Sequence, residues 1–164
     1  NNLVNILYKI FEPKFKYIGI APGAGEKNKI WPISNFINIA KYFENKLFKI
    51  VWFLGPDEDN IKQLIKNNFP NSIYPEELIN KFSSFEIVMA TTKYLSCALA
   101  NDSGVGHMLS TSLCPHLKLF SHHDPIKFTP RNSMIKSISS MEYGSSDIDI
   151  IPVSKVIKSI EKLI

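Results

Sequence analysis

The chain has 164 residues, of which 45% are hydrophobic and 21% are charged, as in ordinary globular proteins. A chain of roughly 150 residues buries about 70% of its unfolded surface, so one domain with a full core is expected. The net charge of +4 is spread along the chain and fits an anionic ligand or membrane surface without identifying either. The sequence contains neither an apolar stretch of ~18 residues nor, at residues 1–15, the pattern of a signal peptide. We expect a cytoplasmic protein.

Two cysteines, Cys97 and Cys114, are too few for a disulfide framework and lack the spacing of zinc ligands. Both lie in apolar sequence, where a free cysteine is usually buried. We therefore expect two reduced core thiols, which also fits a cytoplasmic protein.

Predicted strands and helices alternate along the chain. In chain order they are a strand at Tyr17–Ala21, a helix from Pro32, a strand at Phe48–Leu54, helices at Asp57–Asn68, Glu76–Phe82 and Ser84–Tyr94, a strand at Cys97–Ala100, a helix at Gly104–Ser112, a strand at His116–Phe120, a loop at Ser121–Arg131 and a helix at Pro152–Ile164, with weaker strands near Ser72–Tyr74 and Met134–Ile138. This alternation predicts an α/β fold, a Rossmann-like parallel sheet with helices on both faces. Residues 1–16 do not join the pattern, and because the chain starts with Asn we expect them to be an N-terminal extension or the remnant of an interdomain connection, before a domain at 17–164.

Three polar or glycine-rich corners follow predicted strands, at Pro22–Lys29, Gly55–Glu58 and Asn101–His107. In open parallel sheets, ligands bind at the carboxyl ends of the strands. We therefore expect these corners to form the functional site.

The corner ALANDSGVGHM leads from a strand directly into a helix. Unpaired backbone N–H groups and the helix dipole at such a point favour an anion. Gly104 lets a ligand approach closely, Ser103 has a hydroxyl to donate, and His107 follows Ser103 by one helical turn. The pattern is typical of a phosphate site, but Asp102 or Ser103 acting only as a helix cap explains it equally well.

The other two corners each contribute one candidate side chain. Lys29 precedes a helix start, where its ammonium group could meet an anion, although most lysines are simply solvated. Glu58 could accept hydrogen bonds from ribose hydroxyls, or could only favour the helix N-terminus that follows it.

Several familiar site patterns are absent or weak. The spacings of a P-loop and of a dinucleotide-binding fingerprint do not occur. His122, His123 and Asp124 are adjacent but lack a further ligand at suitable spacing, so a metal site is not favoured. Ser103 lies in DSGVG, which is not the elbow of a serine hydrolase.

Taken together, APGAGEKNKIWP, FLGPDE, ANDSGVGHM and LFSHHDPIKFTP resemble, in order and spacing, the C-terminal half of glycosyltransferase family 9, the ADP-heptose:lipopolysaccharide heptosyltransferases. The family pattern is a PGA-type loop with K-x-W-P, then G-G-P-x-E, N-D-S/T-G-x-x-H and F-G-P-T-D-P. The resemblance covers residues 17–130 and implies the donor-binding half of a GT-B glycosyltransferase, made of two Rossmann-like domains.

By that resemblance, Lys29 contacts the donor diphosphate and Glu58 contacts hydroxyls of the donor's sugar or ribose. Asp102, Ser103 and Gly104 cradle the phosphates and the transferred sugar, with His107 beside them. The implied reaction transfers a heptose or related sugar from a nucleotide diphosphate sugar, ADP-heptose above all, to a lipopolysaccharide core or other glycan acceptor, with inversion and without a metal or other cofactor. The family's catalytic base, an acid, and its acceptor surface lie in an N-terminal domain, so no catalytic residue is expected in residues 1–164 and the isolated chain is expected to be incomplete. No nucleic-acid partner is implied, and peripheral association at the cytoplasmic face of the inner membrane stays open.

The sequence departs from the family pattern at two places. FLGPDE has one glycine fewer, and SHHDP stands where the family has GPTDP, so the loop near the donor differs at Ser121, His122 and His123. The sugar and the base therefore stay open. Two alternative functions also stay open, a non-catalytic nucleotide-binding module or partner subunit and a nucleotide-sugar epimerase on a similar fold.

Overall fold

The computed structural model describes residues 2–129 and 134–164. The strands are β1 (Lys16–Ala21), β2 (Phe48–Trp52), β3 (Cys97–Asn101), β4 (His116–Phe120) and β5 (Ile135–Ser139). The α-helices are α1 (Asn2–Ile10), α2 (Ile33–Asn45), α3 (Asp59–Asn68), α4 (Pro75–Leu78), α5 (Ser84–Thr91), α6 (Gly104–Ser110), α7 (Pro125–Phe128) and α8 (Val153–Glu161), and short 3-10 turns lie at Lys27–Lys29, Pro56–Glu58, Thr92–Tyr94, Ser140–Tyr143 and Ile148–Ile150.

The five strands form one sheet in the order β2-β1-β3-β4-β5. All four neighbouring pairs are parallel, as the alternation of strands and helices predicts. The α/β, Rossmann-like fold expected from the sequence is thereby confirmed. Because β1, β2 and β3 are neighbours, the corners that follow them meet at one edge of the sheet.

Each face of the sheet supports a separate core. Along β1, Ile18 and Ile20 point to the core that includes α2 and α8, whereas Tyr17 and Ala21 point to the core beneath α1, α5 and α6. β3 alternates in the same way and is buried throughout, since residues next to each other in a strand face opposite sides. Both cysteines are buried, and burial raises the pKa of Cys97 and takes that of Cys114 to about 12, so both thiols stay protonated at neutral pH.

The N-terminal segment is more ordered than the sequence interpretation suggested. Residues 2–10 form α1, and Leu7 and Phe11 are buried in the second core. The Phe11 ring stacks on Tyr94 at a centroid distance of 4.8 Å and meets the edge of Tyr17 at 4.9 Å. That this segment is an interdomain connection stays a prediction.

Several short elements differ from their predicted bounds. The helix predicted at Ser84–Tyr94 ends as an α-helix at Thr91, and its Phe85 side chain is 56% exposed. The strand predicted near Ser72–Tyr74 is a single parallel bridge between Ile73 and Val51. The loop predicted from Ser121 contains α7, and its last residues, Pro130 and Arg131, lie outside the described residues.

In the described ranges, no helix is long and apolar enough to cross a lipid bilayer.

Candidate functional site

The three predicted corners meet at two adjoining pockets. The first, here called the charged pocket, has a volume of about 210 Å³ and includes Lys29, Asp102, His107 and His123 in its wall. The second, here called the neighbouring pocket, has a volume of about 260 Å³. Gly25, Ser103 and Gly104 border both pockets, so one extended ligand can occupy both at once.

The corner after β3 is shaped by its small residues. The Ser103 hydroxyl accepts a hydrogen bond from the Gly106 N–H at 3.1 Å and so caps α6. A Cβ on Gly106 would stand 2.5 Å from the Asn101 carbonyl oxygen, so only glycine fits there. A Cβ on Gly104 would meet nothing within 4 Å, so the space in front of the first turn of α6 is open. The cap interpretation is therefore correct for Ser103, and it coexists with an accessible helix start.

Asp102 is the centre of a cluster of basic side chains. Asp102 is only 5% exposed. Its Oδ2 lies 2.6 Å from His123 Nδ1 and 4.0 Å from Lys29 Nζ. Its Oδ1 lies 3.6 Å from His107 Nε2 and 3.9 Å from Lys118 Nζ. Within the described part of the chain, no group donates a hydrogen bond to this buried oxygen. A buried carboxylate oxygen without a donor is costly, so Oδ1 depends on the charge of the Lys118 ammonium group 3.9 Å away.

Lys118 is an unusual member of this cluster because it is completely buried in β4, between β3 and β5. Burial lowers its pKa, and the nearby Asp102 carboxylate partly opposes that shift. Its Nζ also donates a hydrogen bond to the Phe128 carbonyl oxygen at 3.3 Å. Lys118 thus connects the corner after β3 to the end of α7.

The imidazole of His107 stays uncharged more readily than a free histidine. Burial lowers the pKa of His107, Lys118 and Lys29 add to that effect, and Asp102 opposes it. At neutral pH its ring is therefore a hydrogen-bonding group at the mouth of the pocket, and Lys29 supplies the positive charge there.

The position of Lys29 is set by Asn101, the last residue of β3. The Asn101 amide donates to the Pro22 carbonyl oxygen at 2.7 Å, and its Oδ1 accepts the Trp31 N–H at 3.2 Å. These buried hydrogen bonds hold Pro22 and Trp31, at the two ends of the loop that contains Lys29. Lys29 also forms an ion pair of 2.6 Å with Glu26, and this pair lowers the pKa of the exposed Glu26 carboxyl.

The neighbouring pocket combines an apolar floor with two carboxylates. Glu58 Oε2 accepts the Gly55 N–H at 2.6 Å, and its other oxygen lies directly over Gly23, where a side chain would collide with it. Glu76 accepts the Leu54 N–H at 3.1 Å and the Ser84 hydroxyl at 3.2 Å. Burial raises the pKa of Glu76. The apolar lining residues are Ala21, Phe53, Val105 and Met108.

The predicted site residues are thus divided between the two pockets. Lys29, Asp102, Ser103, Gly104 and His107 line the charged pocket, whereas Glu58 lies in the neighbouring one. Their roles toward a ligand stay predictions. Sequence reasoning missed Asn101, Glu76 and Lys118 and did not pair His123 with Asp102. For Lys118 a signal was available, because it is a lysine inside the apolar strand HLKLF and a buried ammonium group requires a counter-ion nearby.

The HHD sequence has a local structural explanation. The Asp124 carboxylate accepts the Ile126 N–H at 2.9 Å and caps α7, so it is engaged with the backbone. Across residues 2–129 and 134–164, no three His, Cys, Asp or Glu side chains converge in a way that could hold a metal ion.

Comparison with known proteins gives a family and a fold. The sequence profile of glycosyltransferase family 9 (heptosyltransferase) matches residues 8–151. The lipopolysaccharide core heptosyltransferase OpsX of Haemophilus influenzae is 20% identical over 127 residues, which are 77% of this chain and 36% of that protein.

Solved structures share the fold. A family 9 glycosyl transferase from Veillonella parvula superposes with a TM-score of 0.80 and 21% identity, covering 99% of this chain and 51% of that one. The E. coli ADP-heptose LPS heptosyltransferase II gives a TM-score of 0.77 with 16% identity, covering 99% of this chain and 51% of that one. The E. coli heptosyltransferase WaaC, solved with ADP, gives 0.75 with 12% identity, covering 98% of this chain and 48% of that one. The chain spans about half the length of these structures and about a third of the curated relative. It belongs to glycosyltransferase family 9.

Proposed function

We propose that residues 17–164 are the donor-binding domain of a heptosyltransferase, and that the two pockets hold a nucleotide diphosphate sugar. One observation carries this proposal. The Asp102 carboxylate lines the same pocket as Lys29 and the open start of α6. A sugar diphosphate requires a cation and free N–H groups for its phosphates, and a carboxylate acceptor for its sugar hydroxyls.

We assign the donor's parts to the two pockets by charge and polarity. The diphosphate lies against Lys29 and the first turn of α6, where Gly104 leaves space for it. A hydroxyl of the transferred sugar donates a hydrogen bond to the Asp102 carboxylate, which lines the charged pocket. The nucleoside extends past Gly25 and Ser103 into the neighbouring pocket, where Glu58 accepts from the ribose and the base packs on the apolar floor. ADP is the expected nucleotide, because the related E. coli heptosyltransferase WaaC was solved with ADP.

In the proposed reaction, an acceptor hydroxyl of a lipopolysaccharide core attacks the anomeric carbon of the donor heptose. The configuration inverts and ADP leaves with the electron pair of the broken bond. Lys29 and the N–H groups at the start of α6 stabilise the charge that develops on the leaving diphosphate. We propose that the acceptor surface and the family's acidic base lie outside residues 1–164. The donor is held by side chains and backbone without a metal, and the protein acts at the cytoplasmic face of the inner membrane.

Isothermal titration calorimetry of the chain with ADP, UDP, GDP and ADP-heptose, with magnesium or with EDTA, tests this proposal. We expect binding that prefers ADP and ADP-heptose and is unchanged by EDTA. A preference for UDP or GDP would contradict the assigned nucleotide, and a requirement for magnesium would contradict metal-free binding.

The variant pair Lys29→Met and Lys27→Met tests the site itself. Both lysines lie in the same 3-10 turn, but only Lys29 lines the charged pocket, while Lys27 is exposed. Loss of a charge-assisted hydrogen bond of about 2 kcal/mol corresponds to a roughly 30-fold weaker ADP affinity for Lys29→Met. Lys27→Met is expected to bind ADP like the wild type, and equal affinities for both variants would show that the site is misassigned.

A further inference from the structure

The hydrogen bond between Asp102 and His123 is the shortest contact in the Asp102 cluster. Nδ1 of His123 lies 2.6 Å from Oδ2 of the buried carboxylate. A carboxylate can only accept, so Nδ1 carries the proton of this bond. In the neutral ring, the second nitrogen Nε2 is then unprotonated and can accept a proton.

The His123 ring is also held in place on its face. It stacks on Phe128 with a centroid distance of 4.9 Å and an interplanar angle of 24°. Phe128 is itself fastened, because its carbonyl oxygen accepts from the buried Lys118 ammonium group. The side chain is 28% exposed and lines the charged pocket. Since Nδ1 points to the buried carboxylate, Nε2 lies on the opposite side of the ring, away from that carboxylate.

A buried carboxylate that fixes the tautomer of an imidazole beside a substrate pocket is the arrangement of a general base. Where this chain has His123, the family pattern quoted above has a threonine, which cannot accept a proton at neutral pH. The pair is therefore a feature of this sequence and does not follow from family membership.

We propose that His123, oriented by Asp102, is a catalytic proton acceptor in the charged pocket and enables this chain to hydrolyse its sugar donor. The inference rests on the proposed function of the pocket. A water oxygen attacks the anomeric carbon, and the bond between that carbon and the diphosphate oxygen breaks, with its electron pair leaving on the nucleotide. Nε2 takes the proton of the water and returns it to solvent. The products are the free sugar and the nucleoside diphosphate.

The experiment follows ADP release from ADP-heptose by the chain in buffer, without an acceptor, by ³¹P NMR. Two variants separate proton transfer from positioning. In His123→Asn, the amide nitrogen takes the place of Nδ1 and keeps the bond to Asp102, but Nε2 is absent. In His123→Phe, the ring keeps its stack on Phe128 but loses both nitrogens. ADP affinity by calorimetry and thermal melting are measured for each protein.

We expect the wild-type chain to release ADP and both variants to lower kcat at least 100-fold, since general base catalysis contributes about 10²–10⁴-fold. KM and ADP affinity of His123→Asn should stay within about threefold of the wild type, because its bond to Asp102 remains. Wild-type turnover by His123→Asn, or ADP binding without any release by the wild type, would overturn the role of His123. Failure of the wild type to bind ADP would instead refute the proposed function on which the inference depends.

Discussion

Two buried polar clusters lie on the neighbouring strands β3 and β4 and differ in how completely they are satisfied. In the first, His116 is enclosed, with Nδ1 3.2 Å from the Cys114 carbonyl oxygen and Nε2 3.1 Å from the Ser110 hydroxyl oxygen. In the second, Asp102 has four basic neighbours and still has one oxygen without a donor. The first cluster is closed and neutral, whereas the second is charged and opens into a pocket. We infer that the first serves stability and the second serves binding.

Removing Lys118, the buried cation of the second cluster, should lower the free energy of unfolding more than any other change considered. Lys118→Met leaves the Asp102 carboxylate without one of its two lysines, and breaking a buried ion pair costs about 3–5 kcal/mol of unfolding free energy. Lys127→Met, on the exposed surface of α7, should stay within about 0.5 kcal/mol. Urea denaturation measures both. Because Asp102→Asn removes the uncompensated charge, the double variant Lys118→Met with Asp102→Asn should regain part of the loss, and additive losses would show that the two groups are not coupled.

The first cluster, around His116, should make the stability of the protein depend on pH. Burial lowers the pKa of His116 to about 4, against about 6.5 in an unfolded chain. Between these values the unfolded state binds the proton more readily, so the stability that is present above pH 6.5 is lost as the pH falls toward 4, by about 3 kcal/mol. His116→Gln should melt with a weaker dependence on acid, measured by circular dichroism between pH 4 and 7. An identical dependence in the variant would assign the acid sensitivity to other groups.

A smaller loss of stability is expected at Asn101, which joins the second cluster to the loop that contains Lys29. Asn101→Ala removes the two buried hydrogen bonds to Pro22 and Trp31, leaving backbone groups unsatisfied at a cost of about 2 kcal/mol. It should also weaken ADP binding, since Lys29 is no longer held in place. Calorimetry and urea denaturation on the same variant test both effects, and unchanged ADP affinity would show that the loop keeps its shape without Asn101.

The smallest effect should come from the cap of α6. Ser103→Ala loses the hydrogen bond to the Gly106 N–H and should cost about 1 kcal/mol, whereas Ser103→Gly should cost only a few tenths. Thermal melting compares the two variants. Equal losses in both would mean that the hydroxyl contributes little as a cap.

Local patterns in the sequence predicted the sheet and the three corners, because strand alternation, glycines and helix caps act over a few residues. The spacing of Leu3, Ile6, Leu7 and Ile10 could also have predicted α1, since apolar residues at three- and four-residue steps form one helical face. In the same way, Asp124 followed by Pro125 is a helix-start signal, which could have predicted α7.

The pairing inside the charged cluster was not accessible to such reasoning. Asp102 and His123 are 21 residues apart, and their contact depends on the path of the segment between β4 and α7. Asn101 joins backbone groups 70 and 79 residues away in sequence, which only the completed sheet brings together. Lys118 was visible as a lysine in an apolar strand, but its partner was not, because several carboxylates could have served.

The account's central claim is that the open space before α6 receives the donor diphosphate, and Gly104→Val tests it most directly. The added side chain meets no protein atom near its Cβ, so thermal melting should stay within a few degrees of the wild type. The same side chain occupies the place assigned to the ligand between the two pockets. We predict that ADP affinity, measured by calorimetry, falls at least tenfold in a variant that melts normally. Wild-type affinity in a folded Gly104→Val protein would contradict the claim.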